Sequence, residues 1–101
     1  MVKEQAADRE ATASLTSLSN IAKALARWLI VAGIDSPEAL REAGSVEAAL
    51  RLAPHRPPGS ACRSALCALE GALRGVRWHS IPKVERDALW NEYLQRRLRF
   101  V

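Results

Sequence analysis

The sequence predicts an all-α fold, a small domain of five helices, from its composition and the spacing of its apolar residues. Alanine, leucine, arginine and glutamate dominate the 101 residues, while glycine and proline number only five each, and this composition favours helices. Apolar residues recur at helical intervals. The sequence lacks the long alternating run of β-branched residues that would predict a strand. The length suits one hydrophobic core and therefore one folded domain.

The amino-terminal segment, residues 1–14, is predicted to be a flexible leader, either a frayed helix or disordered. It is mostly small or charged and offers no apolar anchor for a core. Leu15 begins the folded domain, which is predicted to span residues 15–101.

The first core helix is predicted to run to about Ala32, where Gly33 ends it. Its cap candidates are Ser17, Ser19 and Asn20, because short polar side chains accept hydrogen bonds from the first free N–H groups of a helix. The predicted buried stripe consists of Ile21, Leu25, Trp28, Leu29 and Ala32.

Two short helices follow. Ser36 is predicted to cap the first, with Pro37 at its first helical position and Gly44 at its end. Ser45 is predicted to cap the second, which ends at the loop of residues 53–60, a stretch rich in proline.

Residues 64–82 form the segment around which the rest of the domain is predicted to pack. Its helix carries an apolar stripe and contains Gly71, which costs about 1 kcal/mol relative to alanine and indicates that another helix passes close by. Gly75 ends this helix. Trp78 in the following connection is predicted to pack into the core, and the alternative is that Trp78, like Trp90, stacks on nucleic-acid bases. The stripe consists of Cys62, Leu66, Leu69 and Leu73, with Ala65, Ala68 and Ala72 beside it.

The last helix is predicted to run from about Pro82 to Arg99. Glu92 and Arg96 form an exposed pair one turn apart on it. Its predicted inner face consists of Val84, Leu89, Trp90, Tyr93, Leu94 and Leu98.

Charge is uneven along the chain. Residues 1–60 contain seven basic residues (Lys or Arg) and seven acidic ones (Asp or Glu), so their charges cancel. Residues 61–101 contain eight basic and four acidic residues, which gives the net charge of +4. Arg96, Arg97 and Arg99 close this basic region. Such an end either attracts phosphate backbones or stabilises the dipole of its own helix.

Four blocks of residues resemble the carboxy-terminal domain of the TfoX (Sxy) family of competence regulators. The most specific block is the run Ala-Leu-Glu-Gly-Ala-Leu-Arg-Gly-Val-Arg-Trp-His at residues 68–79, followed by Ile81 and Pro82. Shorter matches lie at residues 18–23, 32–36 and 40–44. The resemblance covers residues 15–82 and does not include the amino-terminal domain that usually precedes this domain in the family. It implies a bacterial, non-enzymatic domain connected with transcription regulation and competence.

The resemblance also implies a helix-hairpin-helix-like first half, over residues 15–44. In that motif the turn between two helices presents backbone N–H groups to a DNA phosphate, with a lysine nearby. The DNA-binding candidates are Ser19, Asn20, Ile21, Ala22 and Lys23 in the turn, together with Arg27, Arg96, Arg97 and Arg99. DNA-binding versions favour glycine on both sides of the apolar residue, where this chain has Asn20 and Ala22. Asparagine tolerates a left-handed turn, whereas alanine does so poorly. Asn20 is thus compatible with the DNA-binding turn and Ala22 is not, so the turn either contacts phosphate or only caps the helix.

Other chemistry is not indicated. No glycine-rich phosphate loop or nucleophile elbow appears, so no enzyme, small-molecule substrate or cofactor is predicted. Cys62 and Cys67 lie on different faces of one helix and are predicted to be reduced, and neither they nor His55 and His79 have a metal-ligand spacing. The absence of an apolar signal or membrane segment predicts a cytoplasmic protein with no membrane contact.

Two functions of different classes remain. The first is a DNA-associated regulatory domain that binds DNA weakly and without sequence preference. The second is a protein-interaction module that docks a transcription regulator or another copy of itself, with Ile30, Phe100 and Val101 as candidate contacts. Salt dependence separates the two, because phosphate contacts weaken steeply with salt.

Overall fold

Six α-helices make up most of the described chain. A computed structural model describes the backbone of residues 2–57, 60 and 62–99, and the side chains of all of these except residues 2–7 and 99. Within that range there is no strand. The helices are α1 (Val2–Thr16), α2 (Lys23–Val31), α3 (Pro37–Ala43), α4 (Ser45–Leu52), α5 (Cys62–Arg74) and α6 (Lys83–Arg99), with short 3-10 turns at Ala53–His55 and Trp78–Ser80.

The all-α class is confirmed, but the predicted count of five helices is wrong by one. The additional helix is α1, which lies largely in the predicted leader, residues 1–14. Its last turn carries the fully buried Leu15, and α1 packs against α2. Small and charged side chains form this helix because alanine and glutamate favour helices even without an apolar stripe. The flexibility of the leader and the domain boundary at Leu15 stay predictions.

The start of the first core helix differs from the prediction. Residues 17–22 form a connection, and α2 begins at Lys23 with Ala22 as its cap residue and no side-chain cap hydrogen bond. Asn20 adopts a left-handed conformation, with φ of 70°. This conformation turns the chain instead of starting the helix. The polar residues that predicted a helix cap therefore form the turn.

The ends of the other helices agree better with the sequence. Gly33 follows the end of α2, and Ser36 Oγ accepts a hydrogen bond of 3.0 Å from the N–H of Ala39 at the start of α3. Gly75 follows the last residue of α5. Ser45 is the exception, because the cap residue of α4 is Gly44. Ser45 is buried, and its Oγ donates a hydrogen bond of 2.6 Å to Glu70 Oε1 on α5.

The core lies between α4 and α5, with α2 and α6 packed around them. Most of the predicted stripes are buried in it or pack against it, including Trp28 and Trp90. The fully buried large side chains are Leu15, Leu29, Ile34, Leu40, Leu52, Leu66, Leu69 and Tyr93, with Ile81 almost as buried.

Two predictions about the core are wrong. The side chain of Trp78 is 43% exposed, so it is not a core residue. On α6, Leu89, Trp90 and Tyr93 face inward as predicted, whereas three predicted inner residues are exposed. Those three are Val84, Leu94 and Leu98. A helix with apolar residues on two sides can bury only one of them against a single core.

None of the helices within the described range combines the length and the apolar character needed to span a membrane.

Candidate nucleic-acid interface

The connection between α1 and α2 is attached to the segment after α5 through one side chain. Asn20 Nδ2 donates a hydrogen bond of 2.8 Å to the carbonyl oxygen of Val76, and Asn20 Oδ1 accepts one of 3.1 Å from the N–H of Trp78. An amide side chain can donate through its nitrogen to one backbone group and accept through its oxygen from another at the same time. The left-handed backbone of Asn20 and its side-chain contacts together hold the turn in a fixed position.

Gly71 provides the space for this contact. A Cβ at Gly71 would lie 2.4 Å from Asn20 Nδ2 and 2.8 Å from the carbonyl oxygen of Val76. Glycine is therefore required at this position because other parts of the chain approach its backbone closely, as the sequence indicated. The sequence predicted that a helix would be the neighbour, but the neighbours are the turn at Asn20 and the loop at Val76.

The amino terminus of α2 lies next to this turn and is open to an anion. Ala22 provides no side-chain cap, and the first turn of α2 contains no acidic residue. The first N–H groups of a helix attract negative charge. Ile21 is buried, so only its backbone could take part in such a contact, while Ser19 is half-buried and Ala22 is exposed.

Lys23 and Arg27 lie one turn apart on α2 and are exposed. Neither of them forms an ion pair with a side chain that the structure describes. Both line a groove between α1 and α2 whose other charged lining residues are Arg9 and Asp8. The groove therefore carries more positive than negative charge.

Two segments without acidic residues meet at Asn20. The first covers residues 11–34 and contains Lys23 and Arg27, and the second covers residues 71–84. The hydrogen bonds from Asn20 in the first segment to the backbone at residues 76 and 78 in the second bring them together. Neither of the two segments that meet at this contact therefore supplies a carboxylate there.

The arginines near the end of α6 lie in different surroundings. Arg96 is 3.9 Å from Glu47 on α4 and 3.8 Å from Glu92, which confirms the predicted Glu92–Arg96 pair. Arg97 lines a groove beside Leu50 and Pro54. The side chain of Arg99 lies outside the described residues. The structure places the turn candidates together and gives Arg96 and Arg97 contacts with other elements.

Three residues near the turn were not predicted as site residues. Arg77 and Trp78 are exposed, and the guanidinium carbon of Arg86 lies 5.5 Å from the centre of the Trp78 ring. Arg77 and Trp78 belong to the most specific block of the family resemblance. The lack of acidic residues over residues 71–84 is the signal that could have identified them.

A second polar cluster connects α4, α5 and α6. Arg74 donates to Glu70 at 2.8 Å and to Glu85 at 2.7 Å, and Ser45 donates to Glu70. Burial favours a higher pKa for Glu70, but the hydrogen bonds from Ser45 and Arg74 and the charge of Arg74 outweigh it, so the pKa is lowered. Because every strong partner of this carboxylate is already within the protein, the cluster is structural.

The cysteines do not form a reactive pair. Cys62 and Cys67 are both free thiols, as predicted. Burial raises the pKa of Cys67, with smaller opposing contributions from Arg86 and Arg63. Over the part of the chain that the structure describes, no group of three His, Cys, Asp or Glu side chains is placed to hold a metal ion.

These features define the class of the protein: a small all-α domain with a basic turn between its first two helices and no assembled catalytic group among the described residues. The family model described as the TfoX C-terminal domain matches residues 11–93 of the chain. The chain therefore belongs to the TfoX C-terminal domain family.

Two crystal structures from Listeria monocytogenes are similar to the chain. An uncharacterized protein in a triclinic form is 41% identical with a TM-score of 0.72, over 80% of this chain and 90% of that one. A protein of unknown function in a tetragonal form is 42% identical with a TM-score of 0.70, over 80% of this chain and 96% of that one. A comparison with curated proteins gave no match.

Proposed function

We propose that this protein is a non-enzymatic regulatory domain that associates with DNA through the α1–α2 turn. Membership of the TfoX C-terminal domain family supports a regulatory role related to competence. The turn would contact the phosphate backbone, so binding is weak and independent of base sequence.

The observation that carries the proposal is the position of Lys23 and Arg27. Both are exposed and have no carboxylate partner among the described residues, and Lys23 begins the uncapped helix α2. A phosphate at this position would meet two cations and free backbone N–H groups at once. The left-handed backbone of Asn20 supports a helix-hairpin-helix-like role for this turn, because it reverses the chain just before α2 begins.

Fluorescence anisotropy of a labelled DNA duplex, titrated with the protein at low and moderate salt, tests this proposal. We expect saturable binding at low salt that weakens at moderate salt and is lost in Lys23→Glu. Arg51→Glu on α4 is the matched control, because it makes the same change in charge at an exposed arginine that already pairs with Glu47. The absence of duplex binding at low salt would rule out the proposal.

A triple alanine variant of Arg96, Arg97 and Arg99 distinguishes the two candidate surfaces. Arg96 already contacts Glu47 and Glu92. We therefore expect the triple variant to bind duplex DNA only slightly more weakly than wild type, because its net positive charge is lower. Complete loss of binding in the triple variant, with Lys23→Glu unaffected, would instead assign the contact to α6.

The alternative function, protein docking, is favoured by the outer face of α6. Val84 and Leu98 are each 75% exposed, and Leu94 is exposed as well. Of the contacts predicted from sequence, Ile30 is partly buried against the core, and Phe100 and Val101 lie outside the described residues. Light scattering of wild type and Leu98→Asp tests self-association through this face, and a monomer in both would exclude it.

A further inference from the structure

Trp78 is the most unusual exposed residue of the described chain, because a large aromatic ring lies 43% exposed on a short 3-10 turn. It is not an unsupported ring. The His79 ring lies perpendicular to it with ring centres 5.6 Å apart, and the Arg86 guanidinium lies over the ring at 5.5 Å. With this arginine in place Trp78 is still 43% exposed, and the guanidinium adds positive charge beside the ring.

The backbone around Trp78 is fixed by hydrogen bonds on both sides. The N–H of Trp78 donates to Asn20 Oδ1 at 3.1 Å, and its carbonyl oxygen accepts from the N–H of Ile81 at 3.2 Å. The N–H of Val76 donates to the carbonyl oxygen of Gly71 at 2.9 Å, and Ile81 is buried. A ring on such a fixed turn loses little conformational freedom when a ligand stacks on it.

The cations next to Trp78 are not neutralised by carboxylates. Arg86 Nε donates to the carbonyl oxygen of Ile81, at 3.0 Å, and Arg77 is exposed without an ion pair among the described residues. Two other cations of this region do pair with acids, Arg74 with Glu85 and Lys83 with Asp87. The positive charge that remains free is therefore concentrated at the aromatic ring.

From this arrangement we infer that Trp78 is a stacking platform for an unpaired base, with Arg77 binding a flanking phosphate. The ligand class is single-stranded nucleic acid, since an exposed indole and free cations match a base and its phosphate, whereas a base in a duplex has no accessible face. A protein ligand fits less well, because within the loop of residues 75–80, all of which the structure describes, Val76 is the one other exposed apolar side chain, at 37%. The inference rests on the proposed nucleic-acid function and specifies a second part of the same interface, joined to the α1–α2 turn through Asn20.

The experiment compares a labelled oligothymidylate as a single strand and as a duplex with oligoadenylate, at low salt. Wild type, Trp78→Ala, Trp78→Phe and Arg77→Gln are titrated against both probes by anisotropy. Val76→Ala is the matched control, because it shortens an exposed apolar side chain of the same loop and leaves the backbone hydrogen bonds in place. Circular dichroism confirms that each variant is folded.

We expect Trp78→Ala to bind the single strand about tenfold more weakly and the duplex as well as wild type does. Trp78→Phe keeps most of the single-strand affinity, because phenylalanine also stacks, and Arg77→Gln loses part of it. Single strands should quench tryptophan fluorescence in wild type and clearly less in Trp78→Phe.

Two results overturn the inference alone: equal single-strand affinity of Trp78→Ala and wild type, or an equal loss in Val76→Ala and Trp78→Ala. In either case duplex binding that depends on Lys23 leaves the proposed function intact. If neither probe binds wild type, the proposed function and this inference fail together.

Discussion

Asn20 performs three tasks that few residue types combine. Its backbone has a positive φ of 70°, its Nδ2 donates to Val76, and its Oδ1 accepts from Trp78. Glycine adopts this backbone conformation readily but has no amide, and alanine lacks the amide and disfavours the conformation. The position of the turn relative to the loop after α5 therefore depends on this one side chain.

Replacing Asn20 should reduce stability to an extent that depends on the replacement. We expect Asn20→Ala to lower the free energy of unfolding by about 2 kcal/mol, from two lost hydrogen bonds and the left-handed backbone. Asn20→Gly should be about 1 kcal/mol less harmful, because glycine tolerates that backbone. Urea unfolding followed by circular dichroism measures both, and an alanine variant as stable as the glycine variant would contradict this account.

Glu70 should make stability depend on pH. Although burial favours a higher pKa, hydrogen bonds from Ser45 and Arg74 lower the pKa of folded Glu70, so the unfolded chain takes up this proton at a higher pH than the folded one. The stabilisation is therefore complete above the usual pKa of a glutamate and is lost as the pH falls through the lowered value. We expect Glu70→Gln to be less stable than wild type at neutral pH and the difference to shrink in acid.

Urea unfolding at several pH values checks this expectation. Glu42→Gln on α3 removes an exposed carboxylate and controls for the change in net charge. A difference between Glu70→Gln and wild type that is constant down to the acid limb would contradict it.

At the scale of the elements, α5 is the helix against which both halves of the candidate interface are placed. It packs against α4 and α6, and its last turns carry Gly71, beside which the α1–α2 turn and the loop of residues 75–80 meet. Helix propensity alone would favour alanine at this position by about 1 kcal/mol. Close packing has the opposite preference, and it prevails here because one of the nearest atoms is a backbone oxygen that cannot move freely.

Gly71→Ala should therefore destabilise the domain by about 2 kcal/mol. The new Cβ would lie 2.4 Å from Asn20 Nδ2 and 2.8 Å from the Val76 oxygen. In an Asn20→Ala background the cost should be smaller, because one of the two clashes is removed. A double-mutant cycle by urea unfolding measures this coupling, and additive effects, or a stabilising Gly71→Ala, would show that the contact is not close.

For the whole molecule, the net charge of +4 matters less than its distribution. Many cations pair with acids, as Arg63 does with Asp87 and Arg51 with Glu47. Lys23 and Arg27 on one segment and Arg77 on another remain without such partners among the described residues. Association with a polyanion should therefore depend on a few residues around the Asn20 contact.

The salt dependence of duplex binding tests this distribution. Each phosphate that a cation neutralises makes the negative slope of log K against log salt steeper by about 0.9. Lys23→Gln should therefore make the slope shallower by about 0.9. Anisotropy titrations across a salt series measure the slope, with Arg51→Gln as the paired-cation control. An equal decrease in both variants would mean that total charge, and not the position of Lys23, governs binding.

The helical class, the ends of the later helices and the apolar stripes that meet in the core were all predictable from the amino-acid sequence. Gly33, Ser36, Gly44 and Gly75 were predictable because helix ends depend on the backbone preferences and hydrogen bonds of a few neighbouring residues. The lysine and the turn of the candidate interface were predictable from the family resemblance, although the conformation at Asn20 was not.

Three features depend on how the helices pack: which of two apolar faces of α6 is buried, the exposure of Trp78, and the meeting of the two acid-free segments at Asn20. The reason is that the residues involved are far apart in the sequence. Asn20 bonds to residues 56 and 58 positions away, and no local propensity specifies such a contact. Which apolar residue is buried likewise depends on the neighbours that the fold supplies, so Leu98 and Trp78 could not be assigned from periodicity alone.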